Sequence, residues 1–174
     1  MKLKDGREIA IRKPRKGDER KMLAYINSLI KERVYILAEK KKMLADEKKF
    51  LGELLRDMKA GKKIALVFEC GGRIVAVIEA WKGSHEKNSH VCELALALSK
   101  DFRGAGLGNI IMKMLIDASR KKLKCKVARL SVFSSNKRAI RLYMKHGFRE
   151  TGRIPKGIRH FGKYCDEIIM VKEL

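Results

Sequence analysis

The sequence predicts an α/β fold with a mixed, mostly antiparallel central sheet flanked by helices. Three observations carry that expectation. Runs with the two-residue period of strands and runs with the 3.6-residue period of helices follow one another in the order β-α-α-β-β-β-α-β-α-β-β. Cys70-Gly71-Gly72 separates two β-rich runs and signals a tight hairpin. The apolar run Leu94 to Leu98 passes through Arg103-Gly104-Ala105-Gly106-Leu107-Gly108 into an amphipathic run, Asn109 to Ala118. A helix there crosses the sheet, so the strand after it lies parallel to the strand before it. At 174 residues the chain reads as a single domain, 1–174, with length enough for a sizeable core.

Each element has a local reason. Arg7 to Lys13 alternates as a first strand, and Pro14 ends it. Asp18 is placed to cap a helix whose apolar positions are Met22, Leu23, Tyr25, Ile26, Leu29 and Ile30. A second helix runs from about Leu44 to Met58, with Phe50, Leu51, Leu54, Leu55 and Met58 on one side and Gly61 as its stop. Lys63 to Glu69 and Arg73 to Trp81 are the hairpin strands, and 82–88 is a polar loop. Ser89 to Ser99 is the next strand, antiparallel to its predecessor. Lys126 to Phe133 is the strand parallel to it. Asn136 to His146 is a helix ended by Gly147. Phe148 to Ile154 and Tyr164 to Lys172 pair as a last hairpin around a loop at 155–162.

The glycine-rich turn carries the first chemistry. Glycine lets the backbone take positive φ and come close to a ligand. The free N–H groups of a helix's first turn, with the helix dipole behind them, favour phosphate. A Walker A loop needs Lys and then Ser or Thr after its last glycine, and Gly108-Asn109-Ile110 has neither. A dinucleotide fold needs glycines at one, three and six and an acid at the end of the next strand; here they fall at 104, 106 and 108 with no such acid. The plain alternative is a glycine turn with no ligand.

With these residues the chain resembles the GNAT family of N-acetyltransferases. Arg103, Gly106 and Gly108 match that family's coenzyme-binding pattern. Leu130 to Phe133 followed by Asn136, Ala139, Tyr143 and Gly147-Phe148 matches a second pattern, and His90 to Leu96 is similar to the strand before the loop in members that carry a glutamate base. The resemblance is strong over 89–174 and rests on pattern alone before that. It implies acetyl-CoA as acyl donor and a primary amine as acceptor. The family reaction needs an amine base, an oxyanion donor and a thiol acid.

The resemblance implies that backbone N–H groups from Arg103, Gly104, Ala105, Gly106, Leu107 and Gly108 cradle the pyrophosphate, with Asn109 at the helix start. The strand end at Leu96, Ala97 and Leu98 would pair its backbone with the pantetheine amides, and an N–H at Leu96 or Leu98 would serve the thioester carbonyl. Tyr143, seven residues after Asn136 and so on the same helix face, is implied as general acid; a core tyrosine is the plain alternative. Asn136 is first a helix N-cap, and the resemblance adds a hydrogen bond to the pantetheine arm. Glu93 interrupts an apolar strand, so partial burial is expected, which suits a base working near neutral pH. Its alternatives are anchoring the cationic amine or pairing with a lysine. Trp81 is a candidate lining of the acceptor site, and His85, His90, His146 and His160 read as structural or solvated. His146 ends a helix, where a cation is favourable.

Composition bounds the rest. Forty-two Lys and Arg against 20 Asp and Glu give a formal charge of +22. One reading is a solvated, ion-pair-rich surface of the kind hot-growing organisms favour. The other is an acidic partner such as nucleic acid, against which stand the dispersed runs and few aromatics. A nucleic-acid-binding protein using the fold as scaffold, and a coenzyme sensor without turnover, are the competing functions. A polycationic acceptor would be repelled at long range, although salt weakens this, so small or zwitterionic acceptors are favoured unless an acidic patch surrounds Glu93. Cys70, Cys92, Cys125 and Cys165 are too far apart for a metal motif and read as free thiols; no metal is expected. With no 18-residue apolar run and no apolar leader at Met1 to Asp5, a cytoplasmic protein is expected. Homodimers are common among proteins of this kind, and the oligomeric state stays open.

Overall fold

The structure, a computed structural model, describes residues 1–3 and 5–174. Its elements are β1 (Ala10–Arg12), α1 (Glu19–Lys31), α2 (Leu44–Lys59), β2 (Lys63–Cys70), β3 (Arg73–Lys82), β4 (Val91–Leu98), α3 (Leu107–Lys121), β5 (Val127–Phe133), α4 (Lys137–Lys145), β6 (Arg149–His160) and β7 (Lys163–Glu173). The seven strands form one sheet in the order β1-β2-β3-β4-β5-β7-β6. β4 and β5 run parallel and the other neighbours antiparallel.

Strand alternation divides the core between the two faces. Ala65, Val67 and Ile74 pack with Met22, Tyr25, Leu29, Leu51 and Leu54 of α1 and α2. Phe68, Ile78, Cys92, Leu94 and Ala128 pack with Leu107, Ile111 and Leu115 of α3 and with Tyr143 of α4. Gly71 and Gly72, at φ 54 and 74, supply the two positive-φ residues of the β2–β3 turn. At the end of α2, Gly61 takes φ 68, its N–H bonds Met58 C=O, and the Lys62 N–H bonds Asp57 C=O; this pair of bonds closes the helix.

Two local expectations need correction. Asp18 stands at the N-cap of α1 but makes no side-chain cap bond. Its carboxylate instead takes the Arg12 guanidinium at 2.7 and 2.8 Å and the Arg15 N–H at 2.9 Å. A bidentate charged partner outcompetes a single backbone N–H. The expected loop at 155–162 is also mostly strand: β6 continues to His160 and only the turn at Phe161-Gly162 joins it to β7. The proline is tolerated because β6 is the sheet edge and its register slips between Ile154 and Ile158, where no ladder bond is required of Pro155.

The feature that positions the site is a parting of strands. β4 and β5 pair at Val91–Val127, Cys92–Ala128 and Glu93–Arg129 and no further along the described residues. Beyond that rung β4 stays with β3 as far as Leu98, and β5 stays with β7 as far as Phe133.

Candidate active site

A cavity of about 1190 Å³ opens where the two strands part. Its floor is β4 from Glu93 to Leu98, with Ser131 to Phe133 of β5 opposite. The Gly83 N–H bonds Val91 C=O and the Ser99 N–H bonds Val75 C=O, so odd-numbered residues of β4 aim their backbone groups at β3. By alternation, those of Leu94, Leu96 and Leu98 face the gap that β5 leaves. A linear amide-bearing molecule laid in that gap finds the donors and acceptors of a strand edge unpaired except at Leu98 C=O, which accepts the Arg103 guanidinium.

The glycine turn closes one end. Gly104 and Gly106 take φ 92 and 82, a region costly for other residues. Gly106 is the N-cap of α3; no side chain caps the helix and its first turn contains no acid. At the head of this 15-residue helix the Asn109 N–H already bonds Gly106 C=O at 3.1 Å, while those of Leu107 and Gly108 have no partner among the described residues and are left to a ligand, with the dipole behind them. Arg138, Arg141 and Lys145 of α4 line the same end of the cavity. Backbone donors and surplus cations fit a polyphosphate. At Gly108 an added Cβ would touch Leu142 at 3.4 Å, so this glycine lets α3 and α4 approach.

The residues expected from the sequence mostly converge here. Leu96, Ala97, Leu98, Arg103, Gly104, Gly106, Gly108, Asn109, Asn136, Tyr143 and Glu93 line the cavity. Ala105 does not, and the Leu107 side chain is fully buried in the core. The Arg103 side chain is turned inward. Its Nε and Nη2 donate to Leu98 C=O at 2.9 and 2.7 Å, and both terminal nitrogens pair with the carboxylate of Glu32, just past α1. Its guanidinium therefore braces the turn against β4 and α1.

Asn136 caps α4, accepting the Ala139 N–H at 3.2 Å. Tyr143 is 8% exposed, and burial pushes its phenol up to about 12. Glu93 lies on the α1–α2 face of the sheet beside its rung partner Arg129, whose guanidinium donates to Oε2 at 2.8 and 3.2 Å. Trp81, the antiparallel partner of Glu93, lines the cavity with Lys63 Nζ 5.2 Å from its ring centroid. His146 lies against Asn109, Nε2 to Oδ1 3.2 Å; burial lowers its pKa, helped by Lys145 and Lys172, so the helix-end cation is not favoured. His160 stacks on Tyr35 at 5.4 Å. All four cysteines are free; burial pushes the Cys92 thiol up to about 12 and raises Cys125 too, so neither is poised as a nucleophile.

The acceptor side of the cavity is built from the first two helices and not from the loops beyond them. Residues 82–88 and 155–162 do not line the cavity; α1, the 32–38 connection and α2 form that wall. Tyr25 of α1 donates its hydroxyl to Ala97 C=O at 2.7 Å and accepts the Val77 N–H at 3.3 Å. Val77 and Ala97 are ladder partners, so the hydroxyl bridges a rung of β3–β4 and ties α1 to β4 at the cavity floor. Asp46, Glu47, Glu79 and Glu93 outnumber Arg33 and Lys42 in this half, giving it a net acidic lining inside a strongly basic protein. Tyr25, Glu32, Glu47 and Glu79 were not singled out from sequence, although Tyr25 and Glu47 each fall on the buried stripe of an amphipathic helix.

Comparison with known proteins agrees with this geometry. The model of the acetyltransferase (GNAT) family matches residues 31–148. A spermine/spermidine N(1)-acetyltransferase of Bacillus subtilis is 35% identical over 88 residues, 51% of this chain and 53% of that protein. The chain thus spans about half the length of the curated relatives it matches. A GNAT-family acetyltransferase from Streptococcus pneumoniae superposes with a TM-score of 0.84 at 22% identity, covering 96% of this chain and 100% of that one. Spermidine N-acetyltransferase from Vibrio cholerae, solved with CoA and spermine, superposes with a TM-score of 0.77 at 20% identity, covering 95% of each chain.

Proposed function

Because the chain belongs to the acetyltransferase (GNAT) family, we propose that it transfers an acetyl group from acetyl-CoA directly to a primary amine. The observation that carries this is the junction of one cavity's two halves: an uncapped glycine-led helix end among arginines, and an acidic chamber, joined along the free edge of β4. Anionic donor and cationic acceptor would each meet the opposite charge, with the thioester between them.

In this reading the backbone of the glycine turn, with Asn109 at the helix start, holds the pyrophosphate, and the gap-facing backbone of Leu96 and Leu98 with Asn136 holds the pantetheine arm, while Ala97 turns its backbone to β3 and packs from the floor. Glu93 receives the amine. It anchors the ammonium in place of Arg129 or removes its proton, directly or through water. The neutral nitrogen attacks the thioester carbon, the C–N bond forms, and a gap-facing N–H at Leu96 or Leu98 stabilises the oxyanion. The C–S bond then breaks, and Tyr143 hydrogen-bonds the sulfur and relays to it the proton that the newly acylated nitrogen releases. A phenol at about 12 is a weaker acid than an ordinary thiol, near 8.5, so full transfer to a free thiolate runs uphill. Its main service is the hydrogen bond that strengthens as charge builds on sulfur. The acidic chamber favours a cationic acceptor such as a polyamine, the class named for the Bacillus relative.

Calorimetric titration with acetyl-CoA at moderate salt, with ATP and NAD as controls, tests this reading. The expected result is micromolar binding of acetyl-CoA alone, followed by thiol release on adding amines. Equal binding of all three would reduce the glycine turn to an unselective anion patch and favour the nucleic-acid reading.

A further inference from the structure

One carboxylate in the acceptor half lacks a direct partner, although Lys42 lines the same cavity and acts on it through space. Glu47, in the first turn of α2, is 6% exposed and lines the cavity. Among the described residues no hydrogen bond or ion pair reaches its carboxylate, and neither oxygen is fully buried. The neighbouring acids are engaged: Glu79 pairs with Lys63 at 3.2 Å, Glu93 with Arg129 at 2.8 Å, and Asp46 Oδ2 accepts the Met43 N–H at 2.8 Å. Glu47 shares the buried stripe of α2 with Leu51 and Leu54, four and seven residues on, where an apolar side chain would pack without cost. Placing a lone carboxylate there is unfavourable unless a cation arrives to meet it. Burial pushes its carboxyl up; Lys42 offsets this, while Glu79 and Asp46 add to it.

We propose that Glu47 is the specificity-determining residue of the acceptor chamber, binding the second, non-reacting ammonium of a di- or polyamine. The inference rests on the N-acetyltransferase reading. Glu93 stands on the sheet wall where the strands part, and Glu47 on the helix wall over the same sheet face. Two carboxylates on separate walls of one cavity suit a molecule with a reacting amine at one end and a positive charge further along. Tyr35 and Phe50, both partly exposed and both lining the cavity, offer apolar surface to the methylenes between. A monoamine leaves Glu47 unanswered, so the structure selects for charge at a distance as well as for an amine.

The test compares spermidine with butylamine on wild type, Glu47→Gln and Glu47→Asp. Binding is read by calorimetry on CoA-saturated protein, and turnover by thiol release from acetyl-CoA. Losing one buried charged hydrogen bond predicts that Glu47→Gln weakens spermidine binding about 10- to 100-fold and leaves butylamine within about twofold. The kcat for spermidine at saturation should change little, and Glu47→Asp should fall between. Removing an unanswered buried charge should also leave the Tm of Glu47→Gln at or above that of wild type, which excludes misfolding as the cause. Spermidine binding unchanged in Glu47→Gln, or both amines weakened equally, overturns the role of Glu47 and leaves the N-acetyltransferase reading standing. Glu47-dependent spermidine binding without acetyl transfer sinks the enzymatic reading and keeps the cation site. A wild type that binds acetyl-CoA but neither binds nor acetylates either amine overturns both.

Discussion

At the scale of single residues the site is a set of groups whose surroundings limit what each can do. Tyr143 is protonated at any physiological pH, because burial holds its phenol near 12. Its removal therefore subtracts a hydrogen bond made late in the reaction and should spare donor binding. Tyr143→Phe should lower kcat about 10- to 100-fold, at the low end for general acids because a thiolate leaves readily, with the acetyl-CoA Kd little changed. An unchanged kcat would remove Tyr143 from the chemistry. Glu93 poses a sharper question, because Arg129 already occupies its carboxylate. If Glu93 takes a proton, Glu93→Gln lowers kcat with little change in amine KM; if it only anchors, KM rises and kcat holds. Arg129→Ala adds the complement, since an anchor released from its guanidinium should bind amines more tightly. The positions of these two residues were legible because a tyrosine seven residues after Asn136 and a glutamate within an apolar strand are local patterns. The Glu93–Arg129 pair was not, because it joins residues 36 apart that only the parallel register brings together.

At the scale of elements, the glycine turn and the first helix show how backbone geometry is held for function. Gly106 has open space where a Cβ would go, so its requirement is the positive φ and not room. Gly106→Ala should cost about 1 kcal/mol of stability and weaken acetyl-CoA binding, because a turn that relaxes its φ re-aims the first N–H groups of α3. Gly108→Ala meets only Leu142 and should be milder in both respects. Asp18 gives a pH-dependent test. Burial works to raise its carboxyl, but Arg12 and the Arg15 N–H outweigh it and hold it below the usual carboxylate range. A lowered folded-state pKa stabilises above the unfolded value and fades as pH falls through the folded one. Asp18→Asn should thus destabilise at pH 7 by about 2 kcal/mol, less than a full broken pair because Arg12 keeps Glu69, and the difference from wild type should shrink below about pH 4. Thermal melts across pH 3 to 7 decide this, and a constant difference would reject the ion-pair account. The helices and strands themselves were readable from periodicity, down to Gly61 and Gly147 as stops. The extension of β6 past Pro155 was not, because whether a proline ends a strand depends on whether its N–H side has a neighbour. That is a property of the sheet order and not of the segment.

At the scale of the whole molecule, a +22 shell surrounds a cavity with two opposite ends. Sequence arithmetic alone argues that such a protein should repel a polycation. The fold reverses the argument locally by gathering Asp46, Glu47, Glu79 and Glu93, which lie up to 47 residues apart, onto one chamber. Net charge acts at long range and is screened by salt, with a Debye length of about 8 Å at physiological strength. Contacts inside the cavity are shorter than that and partly shielded from ions. The two substrates should therefore respond to salt in opposite directions. Raising ionic strength from about 0.02 to 0.2 M should lower kcat/KM for acetyl-CoA several-fold, because the basic shell steers the anionic donor inward. Over the same range kcat/KM for spermidine should hold or rise, because salt weakens the shell's repulsion more than the chamber's attraction. Steady-state rates with each substrate varied in turn, the other saturating, give both slopes. If both fall in parallel, the acidic chamber does not control acceptor entry. If nucleic acid binds with a steep salt dependence that CoA leaves untouched, the shell serves a partner of its own.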